Sequence, residues 1–391
     1  MKKIIFLTGT RADYGKMKPL MMACEKAQNL EAFIYISGMH LLAKYGNTYM
    51  DIEKDGYKNI RLQKNMQDIP NMDINCANLI LDFSEYVREI KPDIIIVHGD
   101  RIDALGGAIV GMLNNILLGH IEGGEITGTV DEAIRHAISK MANLHFVSNR
   151  ESAIRIKQLG ENEQNIYVIG SPDIDIMLSN DLPKINTVKE KYNIKFNNYG
   201  IFIYHPVVSE INRLDKDIKE INCALLDSKQ NFIVIYPNND MGSEIILDSY
   251  RSALTKNNKF IFYPSISFED FLILLKNANF VIGNSSCGIR EACVYGIPAI
   301  DIGTRQKNRY SLSVLPNIQH VEANYNQIIE ALDNLEYYKV KSSYYGDGNS
   351  AKRFLKILEN PNLWKANTQK QFIDVPETIK EIEIYHNEVC F

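Results

Sequence analysis

Short apolar runs rich in β-branched residues alternate with amphipathic stretches along the first part of the chain. The runs at 4–7, 32–37, 93–97 and 116–121 predict buried parallel strands. Helices are predicted between and after them, one over 74–90 and another where apolar positions recur at helical spacing over 133–141. This alternation predicts a doubly wound α/β domain built on a parallel sheet.

A polar segment then interrupts the pattern, and a second alternation of strands and helices follows it. The strands of this second part are predicted at 199–204, 232–236, 259–263, 280–282 and 298–302. The α/β fold therefore comprises two Rossmann-like domains, which we expect to face each other across a ligand-binding cleft. Their predicted bounds are 1–172 and 199–350, with a linker at 173–198 and a C-terminal helical segment, 351–391, that can return to the first domain.

Composition narrows the class of protein. The 391 residues carry a net charge of −5 and a pI near 6.0, so no basic surface predicts binding to nucleic acid. Six cysteines without a CxxC pattern indicate reduced thiols, as in a cytoplasmic protein. No apolar run approaches the roughly 18–20 residues of a membrane span, and the apolar run after Lys2-Lys3 is too short for a signal peptide.

Acidic residues follow two consecutive predicted strands and begin the next helix. Asp100 and Glu122 lie at strand ends beside glycines that allow a ligand close to the backbone, and Asp131 lies in the first turn of a helix. The alternative for Asp131 is structural, since Thr129 and Glu132 fit a capping box and Asp131 would favour the helix dipole. The pattern predicts an acid–base site at this edge of the sheet.

The helix after Asp131 carries further polar residues. Its apolar positions recur so that Arg135 and His136 are predicted to lie off the buried face. His120 and His136 could suggest a metal site, but no ligand spacing supports one. We therefore predict no metal and no cofactor.

The second domain contains a candidate anion site. Ser285 and Ser286 follow a strand and lead into a predicted helix, whose first-turn amides can bind a diphosphate. Arg305 leaves the neighbouring strand, and Glu291 suits the hydroxyls of a ribose. The alternative is a buried helix that Ser286 caps.

Two more residues at strand ends are candidates for ligand contact. Arg11 follows the first strand in a loop of small residues and can bind a phosphate or carboxylate. His205 ends a strand of the second domain, where it can face the first domain.

Eight motifs, in order along nearly the whole chain, resemble those of the hydrolysing UDP-N-acetylglucosamine 2-epimerases that start sialic acid synthesis. They are TRADY at 10–14, YGNT at 45–48, the long stretch at 98–136, GSP at 170–172, YPN at 236–238, GNSS at 283–286, GTRQ at 303–306 and YGDGN at 345–349. The resemblance implies a glycosyltransferase-B-like fold, a nucleotide-sugar substrate and a homo-oligomer, either a dimer or a tetramer.

The resemblance also implies roles for individual residues. The catalytic positions are Asp100, Glu122, Asp131 and His205: the two aspartates are expected to share the proton transfers, Glu122 to polarise water or the sugar, and His205 to assist the leaving group. The positions around UDP are Arg11, Arg101, Asn238, Ser285, Ser286, Glu291 and Arg305. The reaction is then elimination to a glycal followed by hydration, which releases N-acetylmannosamine and UDP.

Departures from the family pattern bear on the identity of the substrate. Glu132 stands where relatives often carry Asp, Thr127 where many carry Ser, and Val208-Ser209 replaces a common Thr-Thr pair. The sugar could instead be a 2,4-diacetamido-trideoxy sugar, linked to UDP or GDP, for legionaminic acid. The sequence is also compatible with a non-hydrolysing epimerase, a glycosyltransferase of the same architecture and a UDP-sugar-binding regulator.

Overall fold

The structure is a computed structural model that describes residues 1–69, 71–126, 130–238, 240–307 and 309–374, with the backbone alone for Val130. Thr127 and Thr129 lie outside these ranges, so the predicted capping box is not described. Within these ranges no helix combines the length and the apolar character that a membrane span needs.

The chain divides into two compact units. The first comprises Met1–Leu178 and the chain from Gly346 onward, and the second comprises Ser179–Tyr345. The boundary falls inside the segment 173–198 that we interpreted as a linker. The second unit thus begins earlier than residue 199 and ends before residue 350.

The first unit is built on a seven-stranded parallel sheet in the order β3-β2-β1-β4-β5-β6-β7. Its strands are β1 (Lys2–Thr8), β2 (Leu30–Ile36), β3 (Ile60–Leu62), β4 (Ile94–His98), β5 (Leu117–Ile121), β6 (Leu144–Val147) and β7 (Ile166–Val168). Its helices are α1 (Arg11–Lys26), α2 (Tyr49–Lys54), α3 (Met72–Ile90), α4 (Ile102–Leu113), α5 (Val130–Met141), α6 (Arg150–Gln158) and α7 (Asp173–Met177), and α14 (Ser350–Leu358) after the chain returns.

Helices cover both faces of this sheet, as the continuous apolar runs predicted. Ile94 and Ile96 of β4 pack in one apolar cluster, whereas Ile95 and Val97 pack in another. Alternate side chains of a strand point to opposite faces, so β4 is buried on both sides. Its carboxyl end delivers Asp100 into the loop that follows.

The second unit contains a six-stranded parallel sheet in the order β10-β9-β8-β11-β12-β13. Its strands are β8 (Gly200–Ile203), β9 (Phe232–Ile235), β10 (Phe260–Tyr263), β11 (Phe280–Gly283), β12 (Ala299–Ile302) and β13 (Ile318–Val321). Its helices are α8 (Ile185–Lys191), α9 (Ile211–Asp227), α10 (Ser243–Ala253), α11 (Phe268–Lys276), α12 (Glu291–Tyr295) and α13 (Tyr325–Asp333). The two sheets confirm the predicted α/β class.

The chain returns to the first unit through α14. Phe354 of α14 is fully buried, and its ring lies 6.3 Å from Phe6 of β1 and 4.8 Å from Phe146 of β6. Further along, Lys370 donates to the carbonyls of Lys140 (2.6 Å) and Ala142 (2.5 Å) at the end of α5. These contacts place the described part of the C-terminal segment on the first unit.

Candidate functional site

Two adjacent strand ends of the first unit carry the acidic residues that the sequence singled out. The strands β4 and β5 are hydrogen-bonded neighbours, with His98 paired to Ile121. Glu122 follows β5 directly and adopts a φ of +60°, a left-handed conformation uncommon for a residue other than glycine. Its N–H donates to the carbonyl of Phe146 at 2.9 Å, which fixes the backbone there.

The Glu122 carboxylate accepts hydrogen bonds from three side chains. The Lys16 ammonium lies 2.6 Å and the His98 Nε2 atom 3.2 Å from Oε2, while the Ser171 hydroxyl donates to Oε1. The Glu122 side chain is only 5 % exposed. Donors of this kind favour the ionised form and hold it in one orientation. We call Glu122 with Lys16, His98 and Ser171 the Glu122 cluster.

A further buried carboxylate adjoins this cluster. Asp173 begins α7 and is 2 % exposed, and its Oδ2 atom lies 4.0 Å from the Lys16 ammonium. Its Oδ1 atom has no hydrogen-bond partner among the described residues. Lys16 therefore lies between two buried carboxylates.

Asp100 pairs with an arginine from a different element. The Arg135 guanidinium of α5 donates to the Asp100 carboxylate and, at 3.1 Å, to the carbonyl of Glu125. Arg135 is 6 % exposed, so the prediction that it lies off the buried face of α5 is wrong. Its charge is tolerated there because Asp100 and a carbonyl meet it. The Asp100 side chain remains 21 % exposed and is accessible to a ligand.

Asp131 lies one helical turn before Arg135 on α5. Residues four apart on a helix are neighbours on one face, with about 5–6 Å between their Cβ atoms, so Asp131 shares the face that carries the Asp100–Arg135 pair. His136 lies 3.8 Å from Glu132 at the same spacing. The structure thus brings Asp131 and Asp100 to the same region of the first unit.

His120 is fully buried and takes part in the backbone framework. Its Nε2 lies 2.8 Å from the carbonyl of Gly99, and its Nδ1 lies 3.0 Å from the Ser139 hydroxyl. Burial lowers the pKa of His120 to about 3, which keeps the ring neutral at physiological pH. Since the carbonyl only accepts, Nε2 carries the proton, and His120 holds the loop that precedes Asp100.

The two predicted arginines of the first unit are both exposed. Arg11 is the first residue of α1, whose N-terminus is closed by a capping box between Thr10 and Asp13. Arg101 precedes α4, and its guanidinium lies 3.4 Å from the Met39 sulfur. Neither arginine forms an ion pair with a carboxylate of the described residues, so both are accessible to an anionic ligand.

In the second unit, His205 is held by a buried asparagine. The Asn284 amide accepts from the N–H of His205 at 2.7 Å and donates to its carbonyl at 2.8 Å. The N–H of Asn238 donates to His205 Nδ1 at 3.0 Å, so the proton of the neutral ring is on Nε2. Burial and the nearby Arg305 charge lower the pKa of His205 to about 4. His205 therefore offers an N–H donor and not a cation.

We call the two hydrogen bonds between the Asn284 amide and the His205 backbone the His205 clamp. Glycine at position 283 makes it possible. Gly283 has a φ of +131°, and a Cβ atom there would lie 1.9 Å from the carbonyl oxygen of Ile203. A side chain is excluded, and the close approach of β11 to β8 places Asn284 against His205. Asn284 was not singled out from the sequence, although it lies within the GNSS motif.

Arg305 lies close enough to a second cation, Arg309, to be affected by its charge. The Arg305 guanidinium donates to the carbonyl of Asn284 at 3.2 Å, and Gln306, fully buried, donates to the same oxygen at 2.8 Å. Burial, followed by the Arg309 charge, lowers the pKa of Arg305. A bound anion would offset the charge of both arginines, so this region suits a phosphate group.

The Ser285–Glu291 segment differs from the prediction. Ser285, and not Ser286, is the N-cap, and its Oγ accepts from the N–H of Cys287 at 3.4 Å. A 3₁₀ turn (Ser286–Gly288) follows, and α12 begins only at Glu291. The serines therefore do not lead directly into an α-helix, and the amides available to an anion belong to a tight turn. Glu291 is half-buried at the start of α12.

No group of three or more His, Cys, Asp or Glu side chains among the described residues is placed to hold a metal ion. The site residues that the sequence missed are Lys16, His98, Ser171, Arg135, Asn284, Gln306 and Arg309. Signals for some of them were present, since Asn284 and Gln306 lie inside the GNSS and GTRQ motifs and Ser171 inside GSP.

Comparison with known proteins gives a consistent family. A family model described as UDP-N-acetylglucosamine 2-epimerase matches residues 22–359. A protein of Neisseria meningitidis named UDP-N-acetylglucosamine 2-epimerase is 42 % identical over 377 residues, which cover 96 % of this chain and 100 % of the relative. A Legionella pneumophila protein named UDP-N,N'-diacetylbacillosamine 2-epimerase (hydrolyzing) is 31 % identical over 371 residues, covering 92 % and 96 %.

A solved structure supports the fold. The UDP-GlcNAc 2-epimerase from Methanocaldococcus jannaschii superposes with a TM-score of 0.75 at 20 % identity, covering 92 % of this chain and 99 % of that one. This likeness confirms the predicted glycosyltransferase-B-like fold. The match of the family model over most of the chain and the 42 % identical relative show that the chain belongs to the UDP-N-acetylglucosamine 2-epimerase family.

Proposed function

We propose that the chain is a hydrolysing 2-epimerase that converts UDP-N-acetylglucosamine into N-acetylmannosamine and UDP, and that the product feeds sialic acid synthesis. The family, the 42 % identical relative and the hydrolysing name of the 31 % identical relative support this reaction. The observation that carries it is the pair of carboxylates Asp100 and Glu122, which follow two hydrogen-bonded strands.

The chemistry requires cleavage of the anomeric bond. The hydrogen on carbon 2 lies beside an acetamido group and is not acidic, so a carboxylate alone cannot remove it. As the bond from carbon 1 to the diphosphate oxygen breaks, positive charge at carbon 1 makes that proton removable. The electron pair of the C–H bond then forms the double bond of a glycal, and the diphosphate oxygen keeps the electrons of the broken bond. The protein must therefore stabilise a departing diphosphate.

In this proposal the second unit binds the leaving group. Arg305 and Arg309 supply positive charge, and Nε2–H of His205 supplies a hydrogen bond without a change of protonation. Amides of the turn after Ser285 and the half-buried Glu291 are assigned to the diphosphate and the ribose. Because His205 is held on both sides of its backbone by Asn284, its donor needs little reorganisation during the reaction.

The first unit then supplies the proton transfers. Asp100 is partly exposed and oriented by Arg135, and Asp131 lies one helical turn before that arginine. These two aspartates are assigned as base and acid on the two faces of carbon 2. Water adds its oxygen to carbon 1 of the glycal and gives one of its protons to a carboxylate, while the acid of the pair returns a proton to carbon 2 with inverted configuration. Glu122, oriented by hydrogen bonds from Lys16, His98 and Ser171, is assigned to polarise that water or the sugar.

A second substrate has a specific observation in its favour. The Legionella relative is named for UDP-N,N'-diacetylbacillosamine, and Val208 and Ser209 of this chain lie three and four residues after His205 in a 3₁₀ turn. A change of side chain so close to the proposed leaving-group site can alter the contacts of the sugar. The same elimination and hydration would then act on a 2,4-diacetamido-trideoxy sugar, linked to UDP or GDP.

The direct test is proton NMR of the products from each nucleotide sugar. Free N-acetylmannosamine and UDP from UDP-N-acetylglucosamine are expected. UDP-N-acetylmannosamine in place of the free sugar would identify a non-hydrolysing epimerase. Turnover of the diacetamido sugar alone would assign the second substrate, and release of N-acetylglucosamine without epimerisation would overturn the proposal.

A further inference from the structure

Ser171 connects Glu122 to a distant part of the chain. Its hydroxyl donates to Glu122 Oε1, and its carbonyl accepts from the Ser350 hydroxyl at 3.2 Å. Ser171 and Ser350 are both fully buried. Two successive hydrogen bonds therefore link the first residue of α14 to the Glu122 carboxylate.

Ser350 is itself held firmly. The Asp175 carboxylate of α7 accepts from the N–H of Ser350 at 2.9 Å and from the N–H of Ala351 at 2.7 Å, which closes the first turn of α14. Arg353, one turn along, donates to the carbonyl of Ile169 at 3.2 Å. The start of α14 is thus bonded to both ends of the segment that carries Ser171.

Glycines allow the two segments to touch. Gly346 has a φ of +143°, and a Cβ atom there would lie 3.3 Å from the Ser171 nitrogen. Gly348 has a φ of +80°, and its Cβ would lie 3.1 Å from the Leu178 side chain. Residues 170–178 and 346–351, here called the junction, therefore pack closely together at the points where the chain leaves the first unit and returns to it.

We propose that the junction positions the Glu122 carboxylate, and that Ser350 is a positioning residue acting through Ser171. The proposal rests on the role of Glu122 in the proposed function. Ser350 does not touch Glu122, but its hydrogen bond fixes the Ser171 backbone and so directs the Ser171 hydroxyl. The sugar-processing carboxylate is thereby tied to the segment that connects the two units.

Ser350→Ala tests this role, because alanine suits the first turn of a helix and leaves the two N–H bonds to Asp175 in place. The matched control is Ser228→Ala, which removes the same type of bond, from a buried serine hydroxyl to the carbonyl of Leu225 at 2.8 Å, in the second unit. We expect Ser350→Ala to lower kcat about three- to tenfold and Ser171→Ala about 10- to 100-fold. Ser350→Thr should restore kcat, and Ser228→Ala should leave it unchanged.

A titration with acid distinguishes a positioning role of Ser350 from a contribution to stability alone. Lys16 of α1 and His98 of β4 face Glu122, and Asp173 of α7 lies beyond Lys16. None of them changes in the serine variants. In Ser350→Ala the Ser171 hydroxyl is no longer directed at Glu122, and a carboxylate whose donor is weakened binds a proton more tightly. The acidic limb of the kcat profile should therefore move to higher pH.

The same titration can be followed without turnover, by ¹³C NMR of carboxyl-labelled glutamate with the Glu122 signal assigned from Glu122→Gln. A midpoint that moves upward in Ser350→Ala and Ser171→Ala, but not in Ser228→Ala, is the expected result. If the wild type forms no product, the proposed function fails while this titration still decides the positioning role. An unchanged Glu122 midpoint in Ser350→Ala would overturn the positioning role. If that variant does not fold, an altered midpoint in Ser350→Thr, which keeps the hydroxyl, would also overturn it.

Discussion

Asn284→Ala isolates the part that the His205 clamp plays in turnover. Asn284 is 1 % exposed, and the substitution removes the bonds of 2.7 and 2.8 Å to the backbone of His205. A net hydrogen bond contributes about 0.5–1.5 kcal/mol, and a buried polar group left unsatisfied costs about 1–3 kcal/mol. His205 is only half-buried, so water can reach the freed groups. We therefore expect a loss of about 2 kcal/mol of unfolding free energy, the sum of two net hydrogen bonds without a large further penalty for unsatisfied groups.

Turnover should fall by more than this loss of stability explains. The amide fixes the loop that aims Nε2 of His205, and a misplacement of about 1 Å can cost about 10²-fold in rate. We expect kcat/KM to fall about 10- to 100-fold in Asn284→Ala at a temperature where the variant is fully folded. Steady-state kinetics with UDP-N-acetylglucosamine measures kcat/KM, and calorimetry with UDP measures UDP affinity.

Asn317→Ala is the matched control. Asn317 is a fully buried asparagine of the same unit, and its amide donates to the carbonyl of Ile297 at 3.1 Å. Its loss should lower the melting temperature to a similar degree with kcat/KM unchanged. If Asn284→Ala keeps the wild-type kcat/KM and UDP affinity while its melting temperature falls as in Asn317→Ala, the clamp is structural and the reasoning is refuted.

Three further outcomes follow from the same site. Glu122→Gln and Asp131→Asn should each lower turnover by about 10²–10⁴-fold with UDP affinity retained, and a variant that keeps more than about a tenth of the rate would contradict the role of that residue. Arg305→Ala and Ser286→Ala should weaken UDP binding, as measured by calorimetry. Unchanged UDP binding in both variants would place the diphosphate elsewhere. Burial and Arg305 lower the pKa of His205 to about 4 from its ordinary 6.5, so the unfolded chain binds a proton first as pH falls. Unfolding free energy from urea titration should therefore decrease from about pH 6.5 to about pH 4, and less steeply in His205→Gln; equal slopes would contradict the neutral ring.

The strands were predictable because parallel strands buried on both faces are apolar throughout. β4 and β5 were located within one residue at each end, and their loops therefore delivered Asp100 and Glu122 to the expected edge of the sheet. By contrast, β13 and α13 were missed; the two central residues of β13, Gln319 and His320, are polar, so Ile318–Val321 is not an apolar run.

The partners of the acidic residues could not be predicted from periodicity. Arg135 belongs to the buried face of α5 only because Asp100, 35 positions earlier, meets its charge. Lys16 reaches Glu122 across 106 positions and Ser171 across 49. A hydrophobic pattern treats such residues as exposed, and only the folded arrangement of strands shows which charges are compensated.

The central claim is elimination followed by hydration, and isotopes test it most directly. Product made from UDP-N-acetylglucosamine in D₂O should carry deuterium at carbon 2, because a base removes that hydrogen and a solvent-exchanged acid returns it. Product made in H₂¹⁸O should be free N-acetylmannosamine with label in the anomeric hydroxyl, read before ring opening exchanges it. The account predicts both labels on the free sugar. A free sugar with anomeric label and no deuterium at carbon 2 would contradict it.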